Sequence, residues 1–166
     1  MPRRIAASAY DALTIAALLV AVAVALLPFV TPSRGPRLPS ESLYIMSPET
    51  RALSAAVSLV ACGLYCTGFW SGGRRTLAMK TWHLALHTPV GDRVGAGRAL
   101  LRYLGCLVGP ALAIACFAVL HPLGYGAWAL LLLLFNHAWA IVDPDRQFLQ
   151  DRLAGTRLVL DPARWP

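Results

Sequence analysis

Charged residues are scarce in this chain, and acidic residues in particular. Of 166 residues, 8 are Asp or Glu and 15 are Lys or Arg, so the charged share is 14%, whereas soluble domains carry about 25%. Hydrophobic residues make up 57% of the chain, and the mean hydropathy is +0.58. This balance excludes an ordinary soluble domain and predicts a membrane protein.

The sequence also lacks the motifs on which most catalytic and metal sites depend. It contains no nucleophile–base pair, no His and Asp cluster with metal-ligand spacing and no glycine-rich phosphate loop. Four cysteines lie within apolar runs, at Cys62, Cys66, Cys106 and Cys116. This placement argues against a disulfide framework and against a zinc site. We therefore predict a protein that is not an enzyme and that requires no cofactor and no metal.

Long apolar runs are abundant. A helix needs about 20 apolar residues to cross a bilayer, and four runs come close to that length: residues 10–30, 52–70, 100–120 and 124–142. The last two runs are separated only by residues 121–123, which predicts a tight hairpin or, as an alternative, a re-entrant pair that does not fully cross. We predict an all-α polytopic bundle of about four transmembrane helices. It forms a single domain over residues 1–160, with a short C-terminal tail at 161–166.

The basic residues predict the orientation of this bundle. If both termini and the 71–99 loop are cytoplasmic, twelve of the fifteen Lys and Arg residues lie inside and three lie outside, at Arg34, Arg37 and Arg51. Such an excess is typical of the cytoplasmic side of a membrane protein. The net charge of +7 therefore predicts contact with a bilayer of anionic headgroups and no binding of nucleic acid.

Two short strands are predicted in a small cytosolic cap. Apolar and other residues alternate over residues 82–86, which is the pattern of a strand. Farther along, a short helix over Asp145–Ala154 is predicted to end at Gly155, and a second strand is predicted over Arg157–Leu160. We expect the two strands to pair beneath the helices.

Ionisable residues in or beside the apolar runs are the candidates for function. Asp11 begins the first run, with Arg4 seven residues earlier on the same helical face, and Asp151 lies just outside the last run. A charged side chain at a bilayer centre costs about 2.5–3.5 kcal/mol on insertion scales, so such residues usually face protein partners or water-filled cavities. We hypothesise that Asp11 and Asp151 share a basic partner and, with Arg4, form a gate at the cytosolic mouth of a path.

Three basic residues lie at the predicted cytosolic boundary: Lys80, Arg98 and Arg102. We interpret them as structural or lipid-facing. A purely structural alternative for the carboxylates is that Asp11 pairs with Arg4 or Arg102, and that Asp151 accepts hydrogen bonds from Arg4, Lys80 or Arg102.

The last apolar run contains a second group of polar candidates. Asn136 and Asp143 lie seven residues apart on one helical face, and His137 lies between them. Such groups relay protons or bind cations in a dry interior. Each also has a structural alternative: Asp143 caps the end of the helix, Asn136 bonds a neighbouring carbonyl, and His137 is a packed side chain.

Four segments together resemble the RDD family of membrane proteins. They are Arg4–Asp11, residues 76–84, Arg98–Arg102 and Asp151–Arg157. That family is named for one arginine and two aspartates, which would here be Arg4 (or Arg3), Asp11 and Asp151. The resemblance runs from about residue 3 to residue 160. It departs from the usual family pattern at Gln150, where members commonly have histidine.

The resemblance implies an integral membrane protein of the bacterial inner membrane, with transport as the activity most often suggested for the family. We therefore predict a transporter of small ions or solutes, with cation and proton exchange as the leading possibility. So small a chain would need to oligomerise to enclose a path. The alternative is an accessory or scaffold protein that binds another membrane protein through stripes of small residues.

Overall fold

The computed structural model describes residues 2–29 and 47–160, so the predicted tail at 161–166 and the end of the first predicted span at residue 30 lie outside the described residues. Helices dominate these ranges, as expected for a chain with so many apolar runs. The seven α-helices of the described residues are α1 (Pro2–Leu26), α2 (Pro48–Trp70), α3 (Leu77–Thr81), α4 (Ala96–Cys106), α5 (Val108–Leu120), α6 (Phe135–Val142) and α7 (Leu149–Ala154). Three 3₁₀ segments cover Leu27–Phe29, His121–Leu123 and Gly126–Leu134, and two strands are β1 (Leu84–His87) and β2 (Arg157–Leu160).

Within the described ranges, three helical stretches are long and apolar enough to cross a membrane: Arg3–Phe29, Pro48–Trp70 and Ala96–Leu123. The first and third begin several residues before the predicted spans, because helical backbone continues beyond the apolar residues into charged first turns. The fourth predicted span is a shorter apolar helical stretch, Gly126–Val142. Its first nine residues form a 3₁₀ helix and its last eight form α6.

The chain divides into two compact units, residues 1–11 with 66–166 and residues 12–65. The second unit consists of the main apolar length of α1 and most of α2. The first unit contains α3 to α7, both strands, the N-terminal part of α1 up to residue 11 and the C-terminal part of α2 from residue 66. All the contacts described below lie within this first unit.

A break divides the third candidate span into α4 and α5. The backbone N–H of Leu107 bonds to the carbonyl of Leu104 at 3.1 Å, and α5 starts at Val108. Pro110 has no N–H, so the carbonyl of Cys106, four residues earlier, loses its helical donor. Pro110 is therefore accompanied by an interruption of the helix one turn before it.

The α5 helix folds back on the 3₁₀ segment Gly126–Leu134. The turn between them is a 3₁₀ segment at His121–Leu123, followed by Gly124 at a φ of 82°, a left-handed conformation that favours glycine. Close packing requires glycine at two further positions. A Cβ on Gly126 would lie 3.0 Å from the Phe117 ring, and a Cβ on Gly109 would lie 3.1 Å from the carbonyl oxygen of Leu132.

The two strands form an antiparallel pair in which Leu84 is opposite Leu160 and His87 is opposite Arg157. The first strand begins two residues later than the alternation suggests, because α3 extends to Thr81 and the chain turns at residues 82 and 83. α3 begins with Thr76 as N-cap, whose hydroxyl accepts from the N–H of Met79 at 3.2 Å. α7 ends at Gly155, at a φ of 58°, and leads into β2.

Candidate functional site

Asp151 lies at the centre of a buried charged cluster. It occupies the first turns of α7 and its side chain is 0% exposed. Its Oδ1 accepts a hydrogen bond from Nε of Arg102 at 2.7 Å. A buried carboxylate is costly unless an opposite charge and hydrogen bonds compensate it, so the Arg102–Asp151 pair is the first requirement of this site.

Arg102 reaches Asp151 from the buried stripe of α4. Ala99, Arg102, Tyr103 and Gly105 form this stripe, and the Arg102 side chain is only 6% exposed. Its guanidinium lies over the ring of Trp70, 4.3 Å from the ring centroid, a geometry that favours a cation held against an aromatic face. Arg102 therefore contacts the Trp70 ring and the Asp151 carboxylate at once.

The absence of a side chain at Gly105 allows α4 and α7 to come this close. A Cβ at that position would lie 3.0 Å from the Cα of Gln150 and 3.2 Å from its Cβ. Gln150 directly precedes Asp151, so this approach sets the position of the carboxylate relative to Arg102. Small residues of this kind allow helix backbones to approach closely in a membrane protein.

Arg4 contacts the same carboxylate more loosely. Its Nη2 is 3.9 Å from Oδ2 of Asp151, and its side chain is 17% exposed. Nη1 donates to the carbonyl oxygen of Arg146 at 3.2 Å, and the guanidinium lies 5.8 Å from the centroid of the Phe148 ring. Arg4 thus has an ordinary hydrogen bond to a carbonyl but a long contact with Asp151, whereas Arg102 has a short one.

Asp11 belongs to the same cluster through Thr76 and Arg102. The Thr76 side chain hydrogen-bonds to the Asp11 carboxylate, and the Arg102 charge attracts it. Arg102 is therefore a basic residue that acts on both carboxylates, in keeping with the hypothesis of a shared partner.

Several buried polar atoms of the cluster make no hydrogen bond within the described ranges. On the four charged residues they are Nε of Arg4, Oδ1 of Asp11, Nη1 of Arg102 and Oδ2 of Asp151. The neighbouring Gln150 adds its Oε1. An unsatisfied buried donor or acceptor costs about 1–3 kcal/mol, more when the group is charged. The cluster therefore has hydrogen-bond donors and acceptors available to a small polar or charged ligand.

His137 lies at the edge of this cluster. Its ring packs edge-on against Phe148, with centroids 4.9 Å apart and an interplanar angle of 62°. The Asp151 charge acts on it, and its Nδ1 is buried without a hydrogen-bond partner among the described residues. His137 is thus a packed side chain, as its structural alternative expects. It also interacts electrostatically with Asp151.

Asn136 has a structural position at the interruption of the third candidate span. Its side-chain amide donates to the carbonyl oxygens of Gly105 at 3.1 Å and Cys106 at 2.9 Å. The Cys106 carbonyl is the one that Pro110 leaves without a helical donor. Asn136 therefore donates a hydrogen bond to the carbonyl that the break leaves without a helical donor. This is the bond to a neighbouring carbonyl that its structural alternative expects.

Asp143 is engaged in a turn instead of the cluster. It is the C-cap of α6, and its Oδ2 accepts from the backbone N–H groups of Asp145 at 3.1 Å and Gln147 at 3.0 Å. Nε of Arg152 lies 3.7 Å from its Oδ1. A shared transport path would bring Asp11, His137 and Asp143 together, but the contacts described for Asp143 are with its own turn and with Arg152 of α7.

The remaining basic candidates differ in burial. Lys80 and Arg98 are exposed, which is compatible with contact to lipid or water, whereas Arg102 is among the most buried side chains of the first unit. The lipid-facing interpretation of Arg102 is therefore wrong, and the structural one fits its pairing with Asp151. The sequence offered Arg102 as one of three basic partners of Asp151, and the structure pairs the two at 2.7 Å.

The comparisons agree with this geometry at the level of the family. The model of the RDD family matches residues 1–155. This range includes Arg4, Asp11, Arg102 and Asp151. Comparison with curated proteins and with solved structures gave no match.

Proposed function

This chain belongs to the RDD family, and we propose that it is a membrane transporter that exchanges protons for small cations at the cluster of Arg4, Asp11, Arg102 and Asp151. The observation that carries the proposal is this cluster: four ionisable side chains gathered in one region of an apolar protein, with hydrogen-bonding capacity unused on each. Buried ionisable groups in membrane segments are expensive and mark ion or proton pathways more often than they serve packing alone.

The chemistry of the cluster supports a cation or a proton as the transported species. A carboxylate can bind either one, and binding of either neutralises a charge that an arginine otherwise balances. His137 beside Asp151 is a further group whose imidazole can accept and release a proton. No catalytic step is proposed for these residues.

We also propose that Gly126–Val142 crosses the membrane as a fourth span. A 3₁₀ helix rises about 2.0 Å per residue and an α-helix about 1.5 Å. Nine residues of the first and eight of the second therefore extend about 30 Å, the thickness of a hydrocarbon core. With four spans, both termini lie on one side, which we propose to be the cytoplasmic side of a bacterial inner membrane with anionic headgroups.

The alternative function is that of an accessory protein, which binds another membrane protein or further copies of this chain. Ala17, Ala21 and Ala25 recur every fourth residue on α1 and are exposed. Such a stripe of small residues supports close helix packing in lipid. This alternative would leave the charged cluster with a structural role.

Flux measurements on proteoliposomes test the proposal. The purified protein is reconstituted with a pH-sensitive dye inside, and sodium, lithium or potassium is added outside. We expect cation-dependent proton movement that falls at least tenfold in Asp151→Asn and in Asp11→Asn. Asp145→Asn is the matched control, since Asp145 is an exposed carboxylate paired with Arg157 at 2.9 Å. Absence of flux across this set of cations would favour the accessory function.

A further inference from the structure

The two arginines that contact Asp151 are held very differently. Arg102 is 2.7 Å from the carboxylate and lies flat on Trp70, in the interior of α4. Arg4 is 3.9 Å away and is more exposed, at 17% against 6%. A longer ion pair on a partly exposed side chain is weaker than a short buried one, because attraction falls with distance and solvent screens it. Of the two, Arg4 is the one that can leave Asp151 without unfolding the site.

The charges of the cluster define what could replace Arg4. With all four side chains ionised, the charges of Arg4 and Arg102 balance those of Asp11 and Asp151. Removal of the Arg4 guanidinium leaves one net negative charge beside Arg102. One monovalent cation restores neutrality, whereas a divalent cation would leave an excess positive charge in a buried site, which is costly.

The atoms left unpaired are suited to such a cation. Oδ2 of Asp151, Oδ1 of Asp11 and Oε1 of Gln150 are buried oxygen acceptors without a hydrogen-bond partner in residues 2–29 and 47–160. Hard cations prefer carboxylate and amide oxygens as ligands. Oδ2 of Asp151 is also the atom that Arg4 faces, so an incoming cation and Arg4 would compete for one acceptor.

We propose that Arg4 is a displaceable arm that competes with one monovalent cation for Oδ2 of Asp151, while Arg102 stays bound as the fixed partner of that carboxylate. This inference rests on the proposed transport function and assigns its exchange step to one side chain. Charge is conserved in the exchange: one guanidinium leaves the cluster as one monovalent cation enters it. The displaced Arg4 also gives up its bond to the Arg146 carbonyl, so the start of α1 is released from the turn between α6 and α7.

Equilibrium binding tests the inference without any need for flux. Binding of sodium, potassium or lithium chloride to the purified protein is measured by thermal stabilisation, with N-methyl-D-glucamine chloride at equal ionic strength as the reference. A cation that binds the folded state raises its stability with concentration, which yields a Kd. We expect Arg4→Gln to bind at least one of these cations with a Kd at least tenfold lower than that of the unmodified protein. Lys80→Gln removes an exposed basic residue and should leave the Kd unchanged.

Amide hydrogen exchange supplies the second measurement. Saturating cation should accelerate exchange in the first two turns of α1 and in residues 144–147 of the unmodified protein, because displacement of Arg4 separates them. In Arg4→Gln the same cation should cause no further acceleration. If Arg4→Gln does not fold, Arg4→Lys keeps the charge with fewer donors, and its Kd should also be lower than that of the unmodified protein.

The outcomes separate this inference from the proposed function. If Arg4→Gln binds every tested cation no more tightly than the unmodified protein, or if neither protein binds any, the displaceable arm is overturned even when flux is present. Should the Kd fall as expected while proteoliposomes show no flux, the inference stands as a cation-binding switch and transport is overturned.

Discussion

Two buried carboxylates, Asp143 and Asp151, lie eight residues apart and are held in opposite ways. Asp143 accepts two backbone N–H groups from the turn that follows it, at 3.1 and 3.0 Å. Asp151 has its short contact with Arg102, which is 49 residues distant in sequence, and a looser one with Arg4. Local backbone donors cannot move without unfolding the turn, whereas side chains from other helices can be exchanged. Burial of an acidic residue in a membrane protein is therefore a weaker sign of function than the identity of its partners.

The largest difference between the two sites should appear when their charges are removed. In Asp151→Asn, Arg102 stays buried without its counter-charge, and breaking one side of a buried ion pair costs about 3–5 kcal/mol. We expect a large fall in thermal stability together with loss of flux and of cation binding. Double substitution with Arg102→Met should recover part of the stability but none of the flux. Full flux in the single variant would assign Asp151 a structural role.

Asp143→Asn should destabilise by a smaller amount, because the amide oxygen of asparagine can still accept both backbone N–H groups. Only the difference between a charged and a neutral acceptor is lost, about 1 kcal/mol per bond. The amount of folded protein should fall, but flux and cation Kd per folded molecule should stay unchanged. A change in cation Kd would show that the turn and the cluster are not separate.

Substitution of glycines in α4 tests whether the close contact between α4 and α7 sets the position of Asp151. Gly105→Ala introduces a Cβ 3.0 Å from the Cα of Gln150, and overpacking of this kind costs about 1–3 kcal/mol. Because α7 must shift, cation binding should weaken as well. Gly97→Ala is the matched control, since a Cβ there meets nothing within 4 Å, and alanine in a helix is favoured over glycine by about 1 kcal/mol. Thermal unfolding should move in opposite directions for the two variants.

The smallest effect is expected in the turn that Asp143 organises. Arg146 has a φ of 51°, in the left-handed region that costs a residue with a side chain about 1–2 kcal/mol. Arg146→Gly should therefore raise the melting temperature by a few degrees, while the backbone carbonyl that binds Arg4 is retained. A lowered melting temperature would mean that the Arg146 side chain contributes more than its backbone strain costs.

Local features of the fold were predictable because helices and spans depend on short-range patterns. The apolar runs near residues 52–70 and 100–120 correspond to stretches that are long enough to cross a membrane. The 3₁₀ conformation of Gly126–Leu134 was not predicted, because its leucine-rich composition is equally compatible with an α-helix.

The candidate site was predictable in part. Asp11, Asp151 and Arg4 were selected as ionisable residues in or beside the apolar runs and again from the family resemblance, and all three belong to the cluster. His137 was selected for its chemistry and lies at the edge. Arg102 was interpreted as structural or lipid-facing and was one of several alternative partners of the carboxylates, because an arginine near the end of an apolar run can also reach toward the headgroups.

The sequence by itself determined that this protein is an apolar membrane protein of the RDD family, since composition and the order of motifs carry that information. Tertiary structure decided that Arg102 is central, that Arg4 is held loosely and that Asp143 belongs to a turn. The physical reason is the separation in sequence of the residues that interact. Helical periodicity and proline chemistry act over one or two turns, whereas an ion pair between residues 102 and 151 exists only after α4 and α7 have packed at Gly105.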